Sequence, residues 1–70
     1  MKPHEERVIH EKYELDEKIN RLVDFMNKAV YPTLDVFEQR RLIMQRDAMK
    51  QYSRILGERI SAFQKSETFS

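Results

Sequence analysis

One proline set between two long helical periodicities decides how this chain can fold. Apart from Pro3, the only strong breaker is the stretch Ala29-Val30-Tyr31-Pro32-Thr33-Leu34. Proline donates no backbone N–H, and its ring drives the preceding residue, Tyr31, out of the helical region. Before the break, Val8, Leu15, Ile19, Leu22 and Met26 recur at gaps of 7, 4, 3 and 4, the seam of an amphipathic helix. After it, Leu42, Met49, Tyr52, Leu56, Ile60 and Phe63 recur at gaps of 7, 3, 4, 4 and 3. The pairs Glu14/Lys18, Glu17/Arg21 and Asp24/Lys28 set an acid one turn ahead of a base, the orientation that favours a helix. Asp35 followed by Glu38 reads as a capping box at the start of the second helix. The polar run Lys65-Ser66-Glu67-Thr68 marks its end. The sequence thus predicts a helix over about 4–28, a loop over about 29–34 and a helix over about 35–64. Two helices of roughly 40 Å joined by so short a loop fold back on each other. The expected fold is all-α, one antiparallel two-helix hairpin spanning residues 1–70.

Such a hairpin has little to hold it together. A single core in a chain of at most about 70 to 80 residues rarely supplies more than about 3 to 5 kcal/mol, and small proteins add disulfides, metals or oligomerisation. Cysteine is absent, which removes disulfides and thiolate metal sites together. Each arm also carries apolar residues off its seam: Ile9, Val23 and Phe25 on the first, Ile43, Met44, Ala48, Ile55 and Ala62 on the second. A hairpin buries one stripe per helix, so the leftover stripe is expected to pair protomers into a homo-oligomeric helical bundle. Gly57 either lets helices approach closely or is a tolerated surface glycine.

Charge and motif content exclude several functions. Thirteen Lys and Arg against twelve Asp and Glu give a net charge of +1, without the basic excess that drives general DNA binding. No apolar run approaches the ~20 residues of a bilayer span, and the opening MKPHEERV has no signal-peptide core; a cytoplasmic protein is expected. Ser53, Ser61, Ser66 and Ser70 have no glycine-rich elbow or oxyanion loop around them, so no enzyme is expected. His4 and His10, six residues apart, fall on different helix faces, and the single glycine cannot build a phosphate loop. Neither a metal nor a cofactor is expected.

What remains is capture of a small anion by side chains on helices, which needs cations for phosphate and flat rings for bases. His4 and Arg7 lie one turn apart at the start of the first helix, where free N–H groups and the helix dipole add positive potential. Tyr13 offers a ring, and Lys18, Arg21 and Lys28 offer charge. Tyr13 and Lys28 point within about 60° of each other on an ideal helix. Each has a plainer role open to it: the three cations as members of ion pairs, Tyr13 as a residue at the seam edge, His4 as part of a frayed terminus. Tyr52 is expected in the core, and Arg40 and Arg41 in solvent.

The run His4-x-x-Arg7-Val8-Ile9, then Glu14-Leu15-x-x-Lys18-Ile19-x-x-Leu22-x-x-Phe25-Met26, continues with Leu42-x-x-Gln45-x-x-Ala48-Met49-x-x-Tyr52-x-x-Ile55-Leu56-x-x-Arg59-Ile60-x-x-Phe63. It resembles the small helical-hairpin family of bacteriophages that includes the anti-CBASS cyclic-nucleotide sponges. That resemblance implies a hexamer in the host cytoplasm that binds cyclic dinucleotides of the cyclic GMP-AMP type, and in some members cyclic trinucleotides, without cleaving them. Sequestering the messenger would keep the host's immune effector inactive. By the same resemblance the ligand sits between protomers, an aromatic ring stacking on a base and a lysine holding phosphate. The positions carried over are His4 or Tyr13 for the ring and Lys18 or Lys28 for the phosphate, with Arg7 supporting and Arg59 at a separate trinucleotide site. The competing expectation is a structural or adaptor hairpin that acts only through protein–protein contacts.

Overall fold

The computed structural model describes residues 1–69, with side-chain surroundings through Lys65. Helix α1 runs Pro3–Met26, a 3₁₀ turn covers Tyr31–Thr33, and helix α2 runs Val36–Phe69. Pro3 occupies the first turn of α1, where its missing N–H is no loss. The Glu5 carboxylate, three residues past the cap, accepts the Lys2 backbone N–H at 3.0 Å.

Helix α1 ends at Met26, two residues earlier than the charge pattern suggests. The N–H of Asn27 is shared between Val23 and Asp24 carbonyls, and that of Lys28 goes to Phe25. The last turn tightens to the i→i−3 pattern, and Lys28 leaves the helix. The turn then locks onto α2: the Tyr31 hydroxyl donates to the Gln39 carbonyl (3.2 Å), and the Gln39 amide donates back to the Leu34 carbonyl (2.9 Å).

The expected capping box at α2 is only half made. Asp35 Oδ2 accepts the Phe37 N–H at 2.9 Å. Glu38, instead of reaching back, turns outward to Arg41 at 2.8 Å. At the far end α2 continues to Phe69 rather than stopping near 64. The polar run Lys65-Ser66-Glu67-Thr68 contains no glycine or proline to break the helix.

Val8, Leu15, Ile19 and Leu56 form the buried core, flanked by Val23, Met49, Ile60 and Phe63. Leu56 is wholly enclosed. The sequence expectation fails at Tyr52, which is 44% exposed and points its hydroxyl at the Glu11 carboxylate. Ser53 takes the inward position. Met49, Ser53, Leu56, Ile60 and Phe63 keep a strict 4-3-4-3 spacing, whereas Tyr52 in the place of Ser53 gives 3-4-4-3.

The molecule is a rod of 54 × 15 × 14 Å. Its radius of gyration is 16.1 Å, against about 11 Å for a compact chain of this length. Of the off-seam apolar residues, Ile9, Val23 and Phe25 on α1 are half-buried, whereas Ile43, Met44, Ala48, Ile55 and Ala62 on α2 are all exposed. The uncovered stripe belongs to α2.

Candidate functional site

The helices are joined at mid-length by a polar cluster that sequence reasoning missed. Lys12 Nζ donates to Ser53 Oγ at 2.8 Å and to Asp16 Oδ2 at 3.0 Å, and the Ser53 hydroxyl donates to Asp16 Oδ1. Hydrogen bonds from Ser53 and then Lys12, aided by the lysine's charge and opposed by burial, hold the Asp16 carboxyl below the usual carboxylate range. Gly57 explains how the lysine gets there. A Cβ at this position would lie 3.4 Å from Lys12 Cε, so the lysine stem crosses the helix where no side chain intervenes. The signal was present as a serine at an inward position of α2 and a Lys12/Asp16 pair one turn apart on α1. Ser53 is buried between the helices, which makes this cluster a structural bridge rather than an open reaction site.

The ion pairs expected along α1 do not form. Glu14 takes His10 Nε2 at 2.9 Å instead of Lys18, and Lys12 takes Asp16. Among the described residues, the side chains of Arg7, Lys18, Arg21, Lys28 and Arg59 therefore enter no ion pair or hydrogen bond. Tyr13 stands on the outer face of α1, 63% exposed. His4 lies at the open end of the hairpin, its ring edge-on to Phe63 with centroids 6.3 Å apart and planes at 85°.

These groups are spread along the rod. At ~1.5 Å per residue, His4 and Lys18 are separated by roughly 21 Å along α1. Tyr13 lies roughly 20 Å from the turn that carries Lys28. Within one chain neither pair closes on a single dinucleotide; the rise along the helix defeats the angular match between Tyr13 and Lys28. A shallow groove of about 390 Å³ on α1, lined by Pro3, Glu6, Arg7, His10, Glu11 and Glu14, is large enough for a small ligand. Its three carboxylates oppose a phosphate. No helix among the described residues is long and apolar enough to cross a membrane, and none of their His, Asp and Glu side chains cluster as a metal site.

Arrangement and pattern thus agree on a rod-like hairpin whose unpaired cations and exposed Tyr13 ring decorate α1. A family model described as Sequestin matches residues 2–62, nearly the whole hairpin. The chain belongs to the Sequestin family. That membership agrees with the resemblance carried by the seam residues and by Arg7, Lys18, Gln45 and Arg59, and the family's name denotes sequestration. No curated protein and no solved structure matches the chain.

Proposed function

We propose that this chain is a phage anti-defence sponge that sequesters cyclic dinucleotides of the cyclic GMP-AMP type between protomers, without cleaving them, in the host cytoplasm. The observation that carries the reading is a sequestin hairpin whose Arg7, Lys18 and Lys28 are left without anionic partners while Tyr13 stands bare in solvent. Unpaired cations and an exposed ring are the two parts that phosphate and base need. Because His4 and Lys18, or Tyr13 and Lys28, lie too far apart along one chain, the ligand is held where one protomer supplies the ring and another the cation. This accounts for a binding protein without a deep pocket of its own. A homohexamer is the assembly this reading favours, and cyclic trinucleotides are the next ligands to try. Lys12 and Ser53 do not threaten the non-catalytic part of the reading, since the serine is enclosed and its hydroxyl is committed to Asp16.

Calorimetric titration with cyclic GMP-AMP, followed by recovery of the ligand from the heat-denatured complex, tests the proposal. Tight binding and intact ligand are expected. Alanine at Tyr13 and Lys28, or at His4 and Lys18, should weaken binding roughly 10- to 150-fold with the oligomer unchanged, the cost of a charge-assisted hydrogen bond or a stacked base. No affinity for any cyclic di- or trinucleotide would return the chain to a structural hairpin.

A further inference from the structure

Tyr13 has two polar neighbours on the outer face of α1 that nothing in the hairpin uses. On an ideal helix Glu17 lies about one turn beyond it and about 40° round the axis, and Asn20 about two turns beyond it and about 20° to the other side. All three side chains are exposed. Among the described residues neither Glu17 nor Asn20 enters an ion pair or hydrogen bond, and the Glu17/Arg21 pair that the spacing predicts does not form. A long side chain on a helix leans over the turn before its own Cα, which carries the Glu17 carboxylate toward Tyr13 and the Asn20 amide toward Glu17. The ring is thus bordered by a charged acceptor and then by an amide that both donates and accepts.

This side of α1 repels phosphate. Glu6 and Asp24 also lie within about 20° of Tyr13, whereas Arg7, Lys18 and Arg21 lie about 80° to 140° away round the axis. The ring and the unpaired cations therefore serve different parts of a nucleotide, and the groups beside the ring have to suit the base. The Watson–Crick edge of guanine sets N1–H and N2–H side by side, with the O6 acceptor next to them. A carboxylate accepts both N–H groups at once, and an adjacent amide N–H donates to O6. Adenine presents the lone pair of N1 where guanine presents a donor. A carboxylate placed there meets an acceptor and loses its bond, which is how a polar site rejects the wrong ligand. The Asn20 amide can turn to serve either base, so Glu17 is the group that discriminates. His4 has no such border: one turn beyond it Val8 is in the core, and Glu11 already takes the Tyr52 hydroxyl.

We infer that the base stacked on Tyr13 is guanine, with the Glu17 carboxylate accepting its N1–H and N2–H and the Asn20 amide donating to O6. The inference rests on the proposal that this chain sequesters cyclic dinucleotides. It selects Tyr13 over His4 as the ring, and it makes Glu17 the residue that determines which base is held.

Calorimetric titration with cyclic di-GMP, cyclic di-IMP and cyclic di-AMP tests it. The hypoxanthine of cyclic di-IMP keeps N1–H and lacks the N2 amine. Affinity should fall in the order GMP, IMP, AMP, with at least about tenfold between first and last, the discrimination that a bidentate base contact gives. E17Q should weaken cyclic di-GMP binding by about tenfold and strengthen cyclic di-AMP binding, because a glutamine amide donates to adenine N1 and accepts from N6. Circular dichroism and sedimentation of E17Q should match the parent, since the side chain is exposed. A parent protein that binds cyclic di-GMP no more tightly than cyclic di-AMP would overturn the guanine assignment and leave sequestration standing. So would an E17Q variant that weakens all three ligands alike. Affinity for none of the three, nor for cyclic GMP-AMP, would overturn sequestration itself and the guanine assignment with it.

Discussion

The two apolar faces of α2 carry nearly the same chemistry and are placed in different surroundings. The inner face, with Met49, Leu56, Ile60 and Phe63, lies against α1. The outer face, with Phe37, Met44 and Ile55, lies in water. α1 is one helix wide and covers one stripe only; of its own large apolar side chains Tyr13 alone is exposed, with Ile9, Val23 and Phe25 half-buried. Comparing the faces shows that a period of seven or of 3-4 identifies an apolar stripe but not what covers it. Width of the available cover, not hydrophobicity, decides which stripe becomes core.

Leu56 and Ile55 are neighbours in sequence on opposite sides of that division, and substituting them separates the faces most sharply. Leu56→Ala opens a cavity at the one wholly enclosed side chain and should cost about 2 to 5 kcal/mol, which is as much as a core of this size supplies. Loss of helical circular dichroism at 25 °C is the expected result. Ile55, 43% exposed, lies outside the core cluster that packs against α1. Ile55→Ala should preserve helicity in concentrated solution while reducing the dependence of the unfolding midpoint on protein concentration.

The polar bridge across the inner face gives a pH signature that the outer face lacks. The Asp16 pKa is depressed in the folded chain, so its contribution to stability is present above the unfolded-chain value of about 4 and is lost as pH falls through the lower folded value. Urea midpoints should decline over that acidic window, and Asp16→Asn should flatten the decline while lowering stability at pH 7.

The smallest expected effect concerns Gly57. Its added methyl would sit at ordinary contact distance, 3.4 Å, from the flexible Lys12 stem. Gly57→Ala should therefore raise stability by about 0.5 to 1 kcal/mol through helix propensity. A loss of stability instead would mean that the lysine stem cannot yield without releasing Ser53.

Much of the fold was legible in the sequence because it depends on strong local signals. Pro32 placed the turn, and the spacing of Val8, Leu15, Ile19 and Leu56 placed the core. The helix ends were less legible. The Asp24/Lys28 spacing suggests a helix through Lys28, but that ion pair does not form and α1 ends at Met26, and the polar tail hides the continuation of α2 to Phe69. Tyr52 keeps gaps of 3 and 4 to Met49 and Leu56, and Ser53 keeps gaps of 4 and 3, so helical spacing to these neighbours alone does not say which of the two turns inward. The Lys12–Ser53–Asp16 cluster lies between elements 37 to 41 residues apart, where periodicity along one helix carries no information. For the binding residues the pattern supplied the chemical types but not their joining, since separation along a helix is invisible in an angular count.

The same cluster has a consequence for sliding. Apolar seams are tolerant of displacement by a turn, because one leucine or isoleucine meets another much as before. Ser53 is different: Lys12 and Asp16 lie one turn apart with the serine bonded to both, so a slide of one turn along α1 breaks at least one bond to a charged group, a loss of about 1.5 to 3 kcal/mol. One serine thus works as a detent, fixing the axial setting of two otherwise smooth helices. Every group on the outside of α1 is thereby held at a set height relative to the outer stripe of α2.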